Sequence, residues 1–226
     1  MSNKIAILTG PYSGLGINLA KQLNKSTDQL YLLGRDSSRH KSGTGANYPI
    51  EWDMRKPEEL DLGPLAFCIT SDSKILIFLN ASIIEPLKKI GDFTTNEIVE
   101  NISINVISNI KLINDVIGLQ KNQRFPLSIV FLTSGASKKN IAGWSLYSMS
   151  KQIMETFLFK INLEHTDIRT MILDPGLVNT NMQAVIAASS KFSLNVVSPR
   201  QLRESDEVAS EILAKCQVEL SGFFQD

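Results

Sequence analysis

The chain has 226 residues, 43% of them hydrophobic and 20% charged, and its 23 basic and 23 acidic side chains leave a formal net charge of +0. This length suits one domain with a sizeable core, and a neutral chain has no global field to attract nucleic acid or a membrane surface. The sequence shows no signal-peptide pattern, no apolar run of membrane-spanning length, and no metal or redox spacing around Cys68 and Cys216. We therefore expect a single cytoplasmic domain over residues 1–226, with no metal, nucleic acid or membrane partner.

Short apolar runs alternate along the chain with longer segments of helical periodicity. Strands are predicted at Lys4–Leu8, Leu30–Leu33, Pro49–Trp52, Lys74–Leu79, Leu127–Leu132 and Arg169–Leu173. Helices are predicted at Gly14–Asn24, Pro57–Phe67, Thr95–Leu119, Leu146–Leu163 and Glu207–Val218. Because strands that alternate with long helices imply βαβ crossovers, the predicted fold class is α/β, a doubly wound parallel sheet in a three-layer α/β/α arrangement.

A glycine-rich turn follows the first predicted strand, where Gly10, Gly14 and Gly16 lie in the segment TGPYSGLG. Ligands of a parallel sheet bind beyond the carboxyl ends of its strands, so this turn lies where a ligand is expected. Glycine lets a pyrophosphate approach the backbone, and the N-terminus of the next helix offers free N–H groups. The segment predicts a dinucleotide site, with a plain turn as the alternative.

The second predicted strand ends at Gly34, Arg35 and Asp36, where a dinucleotide fold meets the adenine ribose. An arginine here can pair with a 2′-phosphate, whereas an acidic side chain can accept a hydrogen bond from a 2′-hydroxyl. Arg35 therefore predicts a preference for NADP(H). Asp36 leaves NAD(H) open, and a solvated loop arginine is the alternative interpretation.

Tyr147 and Lys151 are four residues apart in a predicted helix, so their side chains share one face. A nearby ammonium favours the phenolate and lowers the pKa of a tyrosine, and such a pair can exchange a proton with a hydroxyl or carbonyl group. The spacing alone is common by chance. However, Ser134 follows the fifth predicted strand, thirteen residues before Tyr147, and could hydrogen-bond the reacting oxygen.

These motifs, in this order, resemble those of the short-chain dehydrogenase/reductase family over nearly the whole chain. TGPYSGLG matches the family's TGxxxGxG turn, Asn80-Ala81 its NNAG segment, and PGLVNT its PGxVxT segment. Asn105, Ser134, Tyr147 and Lys151 match the family's catalytic tetrad in order and spacing. The resemblance implies a single-domain Rossmann fold that binds NADP(H) or NAD(H).

The resemblance also implies roles for these residues. Tyr147 would pass a proton to or from the substrate oxygen, Lys151 would hold the nicotinamide ribose and lower the pKa of Tyr147, and Ser134 would orient the carbonyl group. Asn105 would hold a water that links Lys151 to solvent. The implied cofactor contacts are Gly10, Tyr12, Ser13, Gly14, Leu15, Gly16, Arg35, Asp53 (to the adenine amine), Asn80, Ala81, Tyr147, Lys151, Pro175, Gly176, Val178 and Thr180.

Some segments depart from the family pattern, and others resemble one branch of the family. Leu79 and Ser82 replace the outer Asn and the Gly of NNAG, and the chain ends soon after Gly222-Phe223-Phe224, where the family usually continues a final strand. The segments Asn179–Gln183 and Ser221–Phe224 resemble the branch of sepiapterin reductase and benzil reductase. Enzymes of that branch reduce ketone or dicarbonyl groups with NADPH.

The predicted function is therefore an NADP(H)-dependent oxidoreductase that interconverts a carbonyl and a secondary alcohol on a small molecule. Two alternatives stay open, namely a non-catalytic NADP(H)-binding sensor or interaction protein, and an epimerase or dehydratase on the same fold. The substrate is expected to contact Ala136–Trp144 and a lid over Met182–Pro199. His40 and His165 have no other metal-ligating residues at a suitable spacing in the sequence.

Apolar residues occur nearly all round the predicted helix that carries Tyr147, so that helix needs burial on more than one side. They are Met149, Ile153, Met154, Phe157, Leu158, Phe159 and Ile161. We therefore predict a homodimer or homotetramer.

Overall fold

Six parallel strands form the centre of the fold in a computed structural model, which describes residues 2–36, 46–189 and 202–225. The strands are β1 (Asn3–Thr9), β2 (Gln29–Gly34), β3 (Asn47–Glu51), β4 (Ser73–Leu79), β5 (Leu127–Leu132) and β6 (Ile168–Leu173). All pair in parallel, in the order β3-β2-β1-β4-β5-β6. The order reverses between β1 and β4, so the crevice beyond their carboxyl ends is the expected ligand site. The predicted strands and the parallel sheet are confirmed.

Helices cover both faces of this sheet. They are α1 (Gly14–Leu23), α2 (Gly63–Cys68), α3 (Thr95–Ile102), α4 (Ser108–Gln123), α5 (Ser145–Glu164), α6 (Asn181–Ala188), α7 (Ser205–Glu219) and α8 (Ser221–Phe224). Successive residues of β1 face opposite layers: Ile5 and Ile7 pack with α4 and α5, whereas Ala6 and Leu8 pack with α1 and α7. The strands are apolar throughout because both faces are buried, which confirms the three-layer prediction.

The helix predicted over Pro57–Phe67 is wrong as a single element. The structure has a 3₁₀ turn at Pro57–Glu59 and then the separate short helix α2. The Asp61 carboxylate accepts a hydrogen bond of 2.8 Å from the Gly63 amide, which forms a local turn between them. Pro64 has no N–H to donate and therefore suits only the first turn of a new helix.

The long helix predicted over Thr95–Leu119 is present, but a π-helical segment, Ser103–Ile107, separates α3 from α4. By length and composition alone the continuous helix Thr95–Gln123 is apolar enough to cross a membrane, although 44% of its most apolar stretch is buried inside the fold. Leu112, Ile113 and Val116 are fully buried against the sheet. Packing on the sheet therefore accounts for the apolar character of this face.

Two further segments differ from the sequence expectations or extend them. Ser221–Phe224 form the short helix α8, in which Phe223 is buried in the layer of α1 and α7. The first part of the predicted lid is the helix α6. Residues 190–199 of that lid, and His40 in the loop after β2, lie outside the described residues.

Candidate active site

A cleft of about 690 Å³ lies beyond the carboxyl ends of β1, β2, β4, β5 and β6. Of the residues predicted to bind the cofactor, all except Gly16 line this cleft. Ser134, Tyr147 and Lys151 line it as well, whereas Asn105 is buried and does not line it. The structure therefore brings the predicted site residues together at the place where the topology of the sheet leaves a crevice.

In the glycine-rich turn between β1 and α1, the glycine positions leave no room for a side chain. A Cβ on Gly16 would lie 1.9 Å from the carbonyl oxygen of Gly10, and Gly10 itself has a φ of +65°. The side-chain amide of Asn80 donates 3.0 Å hydrogen bonds to the carbonyl oxygens of Thr9 and Gly10, which ties the turn to the end of β4. The Ser13 side chain makes no capping hydrogen bond to α1. The Gly16 amide donates to the Ser13 carbonyl at 3.1 Å, which leaves the amides of Gly14 and Leu15 at the start of α1 to donate to an incoming phosphate.

Tyr12 and Gly34 meet at the end of the cleft where β2 stops. A Cβ on Gly34 would lie 2.9 Å from the Tyr12 ring, so glycine is needed for this contact. Burial, followed by the charges of Asp36 and Glu51, raises the pKa of Tyr12, so its phenol stays protonated at neutral pH. The phenol oxygen is buried without a hydrogen-bond partner among the described residues. Arg35, which is exposed, lines the same end of the cleft.

Asp53 is held by an arginine that sequence reasoning missed. The Arg55 side chain donates from Nε to Oδ1 of Asp53 at 3.0 Å and from Nη2 to Oδ2 at 2.5 Å. These hydrogen bonds lower the pKa of the Asp53 carboxyl, which therefore stays charged and fixed in orientation. An arginine two residues after a predicted site carboxylate was the available signal, but it does not show which way the side chain points.

Tyr147 and Lys151 lie on one face of α5 and are only 5% and 4% exposed. Lys151 Nζ donates a 2.9 Å hydrogen bond to the Leu132 carbonyl at the end of β5. The same nitrogen lies 4.8 Å from the centroid of the Phe131 ring and 5.5 Å from that of Tyr147. Ser134 begins the 3₁₀ turn after β5, where its hydroxyl accepts a hydrogen bond from the Ala136 amide. Tyr147 and Lys151 are thus buried at the base of the cleft.

Burial has the largest effect on the pKa values of Tyr147 and Lys151. It raises the pKa of Tyr147 to about 12, a hydrogen bond with Ser134 opposes the shift, and the Asp174 carboxylate adds to it. Burial lowers the pKa of Lys151 to about 7, opposed first by Glu155 and then by Asp174. The expectation that Lys151 lowers the pKa of Tyr147 stays a prediction, since burial, Ser134 and Asp174 account for the shift in this structure. The Lys151 ammonium bonds to the Leu132 carbonyl, and Ser134 is the residue that opposes the effect of burial.

Asn105 lies in the π-helical segment and joins the loop after β4 to α5. Its Oδ1 accepts hydrogen bonds from the Ser82 hydroxyl at 3.2 Å and the Ile83 amide at 2.9 Å. Its Nδ2 donates to the Ile83 carbonyl at 2.8 Å and to the Ser150 hydroxyl at 3.2 Å. Ser82, which departs from the family pattern, therefore has a partner in Asn105. The expected water at Asn105 stays a prediction.

An apolar cluster, the apolar wall, packs against Tyr147, and five of its eight residues line the cleft. It consists of Ile84, Leu87, Ala136, Ile141, Trp144, Met182, Val185 and Ile186. The edge of the Trp144 ring packs on Tyr147, with 6.2 Å between centroids and an interplanar angle of 74°. The Lys88 amide donates to the Gly143 carbonyl at 3.1 Å, which joins the loop after β4 to the segment before α5. The segment Ala136–Trp144 and α6, the described part of the predicted lid, therefore meet next to Tyr147.

A doubly wound parallel sheet with its main cleft at the switch point defines the Rossmann class of nucleotide-binding proteins. A sequence model of the short chain dehydrogenase family matches residues 4–191, so the chain belongs to that family. It is accordingly an oxidoreductase that acts on carbonyl and CH–OH groups, and the family uses nicotinamide cofactors.

The chain is similar to several known proteins. A benzil reductase ((S)-benzoin forming) of Bacillus subtilis is 27% identical over 216 residues, which cover 92% of this chain and 88% of that one. A benzil reductase ((S)-benzoin forming) of Saccharomyces cerevisiae is 27% identical over 195 residues, covering 80% and 73%. A crystal structure of a short-chain dehydrogenase/reductase from S. cerevisiae matches with a TM-score of 0.80 at 20% identity, over 96% of this chain and 90% of that one. These similarities confirm the fold and the likeness to the benzil reductase branch.

Proposed function

We propose that the protein is an NADP(H)-dependent reductase that converts a ketone or dicarbonyl into the corresponding alcohol, with Tyr147 as the proton donor. One observation carries this proposal. The Tyr147 phenol is buried, hydrogen-bonded with Ser134 and protonated at neutral pH, and it faces an apolar wall in the main cleft. A protonated phenol suits donation to a carbonyl oxygen. The similarity to two benzil reductases supports a dicarbonyl substrate.

The residues around the cleft fit a nicotinamide dinucleotide. The glycine-rich turn and the first amides of α1 would hold the pyrophosphate, since a Cβ on Gly16 would close this cradle. Arg35 would pair with the 2′-phosphate, and the charged Asp53 would accept from the adenine amine. Lys151 would hold the nicotinamide ribose, and Val178 and Thr180 would contact the carboxamide. Each of these residues except Gly16 lines the cleft.

Proton transfer is the part of the reaction that this chain performs itself. When bound, the nicotinamide supplies the hydride that reduces the carbonyl carbon. Ser134 donates a hydrogen bond to the carbonyl oxygen and so directs that oxygen toward Tyr147. Tyr147 transfers its phenolic proton to the same oxygen as negative charge develops on it. The charged form of Lys151, beside the Tyr147 ring, then stabilises the resulting phenolate.

The described part of the cleft favours an uncharged, apolar substrate. Its charged lining residues are Arg35, Asp36, Asp53, Glu85 and Lys151. The first three lie at the end of the cleft where β2 and β3 stop, and Lys151 is covered by α5 and β5. Glu85 is exposed next to Ile84, and its carboxylate would repel an anionic substrate. The apolar wall beside Tyr147 therefore suits an aromatic or aliphatic carbonyl compound.

A fluorescence titration with NADPH and with NADH, run beside a benzil reduction assay, tests the proposed function. We expect NADPH to bind more tightly than NADH and benzil to be reduced. Binding without turnover on a panel of ketones and dicarbonyls would instead favour the non-catalytic sensor. Tighter binding of NADH would assign the ribose contact to Asp36 and contradict the NADP(H) preference.

Arg35→Ala is expected to weaken NADPH binding by about 10- to 100-fold, because a charge-assisted hydrogen bond to the 2′-phosphate would be lost. NADH has no 2′-phosphate, so its dissociation constant should stay nearly the same. The two constants are measured by the fluorescence titration. Arg169→Ala is the matched control, because Arg169 is exposed at the amino end of β6, away from the cleft. An equal loss for both cofactors would show that Arg35 does not select the phosphate.

We further propose that a second copy of this chain covers the outer face of α5. Met149, Ile153, Phe159 and Leu163 are 48%, 40%, 61% and 75% exposed, and at 100° per residue they form one stripe opposite the buried face. Such exposed apolar patches mark protein contacts. Light scattering at micromolar concentration should show a dimer or tetramer, and Ile153→Glu should shift it toward monomer. Phe67→Glu, at another exposed apolar residue on α2, serves as the control. A monomeric wild-type protein would contradict the proposal.

A further inference from the structure

Glu155 lies on the same helix as the reactive pair, one turn beyond Lys151, and has no part in the reaction described above. Its side chain is only partly exposed and faces the end of β5 rather than solvent. Oε1 of Glu155 accepts hydrogen bonds from the hydroxyl groups of Thr133 and Ser137, the second at 2.8 Å. A carboxylate held by two hydroxyl groups beside a buried lysine is an arrangement that surface packing does not require.

Glu155 is one of three side chains of α5 that bond to the end of β5. The three are spaced four residues apart along the helix. Their partners are the last residue of β5 and the two residues that follow it. These pairs are Tyr147 with the Ser134 hydroxyl, Lys151 with the Leu132 carbonyl, and Glu155 with the Thr133 hydroxyl. Residues at this spacing share one helix face. Glu155 bonds to Thr133 and also to Ser137, so its two partners flank Ser134 and join the Ser134 segment to α5.

Few charges face Lys151 in its buried position. Tyr147 and Glu155 approach it from α5, and Asp174 approaches it from the loop after β6. β5 contributes the Leu132 carbonyl and the face of the Phe131 ring, neither of which carries a net charge. Of the two carboxylates, Glu155 opposes the effect of burial more strongly, and Asp174 is exposed. An ammonium removed from water stays charged only where an opposite charge compensates it.

We propose that Glu155 is a positioning residue of the reaction, which keeps Lys151 in its charged form and holds the Ser134 segment in register with α5. This inference rests on the proposed function only in that Lys151 and Tyr147 are taken as the reactive pair. Glu155 touches neither substrate nor cofactor and acts through Lys151 and Ser134.

Glu155→Gln separates the charge from the hydrogen bonds, because the amide oxygen can still accept from Thr133 and Ser137. Loss of the negative charge makes protonation of Lys151 less favourable, so Lys151 releases its proton at lower pH. We expect the alkaline decline of kcat/KM to move to lower pH by about one pH unit. The thermal midpoint of unfolding should stay close to that of the wild type. Glu164→Gln, the same change at an exposed position of α5, should leave the profile unchanged.

A second measurement follows the proton on Lys151 directly, without turnover. The side-chain NMR signal of Lys151 in the cofactor-free protein, identified by its absence in Lys151→Arg, is titrated in the wild type and in Glu155→Gln. Its midpoint should move to lower pH in the variant. Thr133→Val removes only the hydrogen bond from the Thr133 hydroxyl to Glu155, so it should lower kcat without moving the midpoint of the Lys151 titration.

The outcomes separate the inference from the proposed function. If neither the pH profile nor the Lys151 midpoint moves in Glu155→Gln, the inference is overturned, whatever Tyr147 does. If Tyr147→Phe keeps full activity, the proposed function fails, while the NMR titration still decides whether Glu155 holds the charge of Lys151. If Glu155→Gln lowers activity equally at all pH values and leaves the Lys151 midpoint in place, Glu155 does not hold the charge of Lys151, and the inference is likewise overturned.

Discussion

We expect Tyr147→Phe to lower kcat for dicarbonyl reduction by about 10²- to 10⁴-fold, the usual contribution of a positioned proton donor, and to leave NADPH binding nearly unchanged. Phenylalanine fills the same buried space and keeps the contact with the Trp144 ring. Only the phenolic proton and its hydrogen bond with Ser134 are lost. Stopped-flow or steady-state assays with NADPH give kcat, and fluorescence titration gives the dissociation constant.

The control for this prediction is Tyr48→Phe. Tyr48 is 40% exposed on β3, where its ring stacks on Tyr31 with 5.0 Å between centroids, and it does not line the cleft. The same removal of a hydroxyl should therefore leave turnover unchanged. Full activity of Tyr147→Phe with a dicarbonyl would show that the proton comes from elsewhere.

Gly16→Ala is expected to destabilise the protein by about 3 kcal/mol and to weaken binding of NADPH strongly. The new Cβ would lie 1.9 Å from the Gly10 carbonyl oxygen, which is backbone and cannot rotate away as a side chain would. The turn must open, at the cost typical of overpacking, and its amides then no longer converge on a phosphate. For a chain of this size the thermal midpoint should fall by roughly 6 to 12 °C. Thermal unfolding and the NADPH titration measure the two effects.

Gly118→Ala is the matched control for that substitution. Gly118 lies within α4 and is exposed, and a Cβ added to it would meet no atom within 4 Å among the described residues. Alanine should therefore stabilise the helix by about 0.5 to 1 kcal/mol, because it loses less backbone entropy on folding. If Gly16→Ala unfolded at the wild-type temperature and bound NADPH normally, the close packing of the turn would not be required.

The six strands and most of the helices could be predicted from local sequence patterns, whereas the break between Glu59 and Gly63 and the π-helical segment Ser103–Ile107 could not. Strands that are buried on both faces leave short continuous apolar runs, as in Lys74–Leu79, and the helix spacing of Tyr147 and Lys151 places both on one face. The carboxyl ends of parallel strands lie at one edge of the sheet. Local patterns were therefore sufficient to predict that Gly10, Ser134 and Pro175 line one cleft.

The side-chain hydrogen bonds and the pKa shifts of the site could not be read from the sequence, because they depend on packing between distant segments. The pairing of Arg55 with Asp53, the four hydrogen bonds of the Asn105 side chain and the bonds of Glu155 to Thr133 and Ser137 depend on side-chain directions that spacing does not encode. The pKa of Lys151 likewise depends on how completely α5 and β5 remove it from water. Burial and pairing are properties of packing between distant segments, and local periodicity carries no information about them.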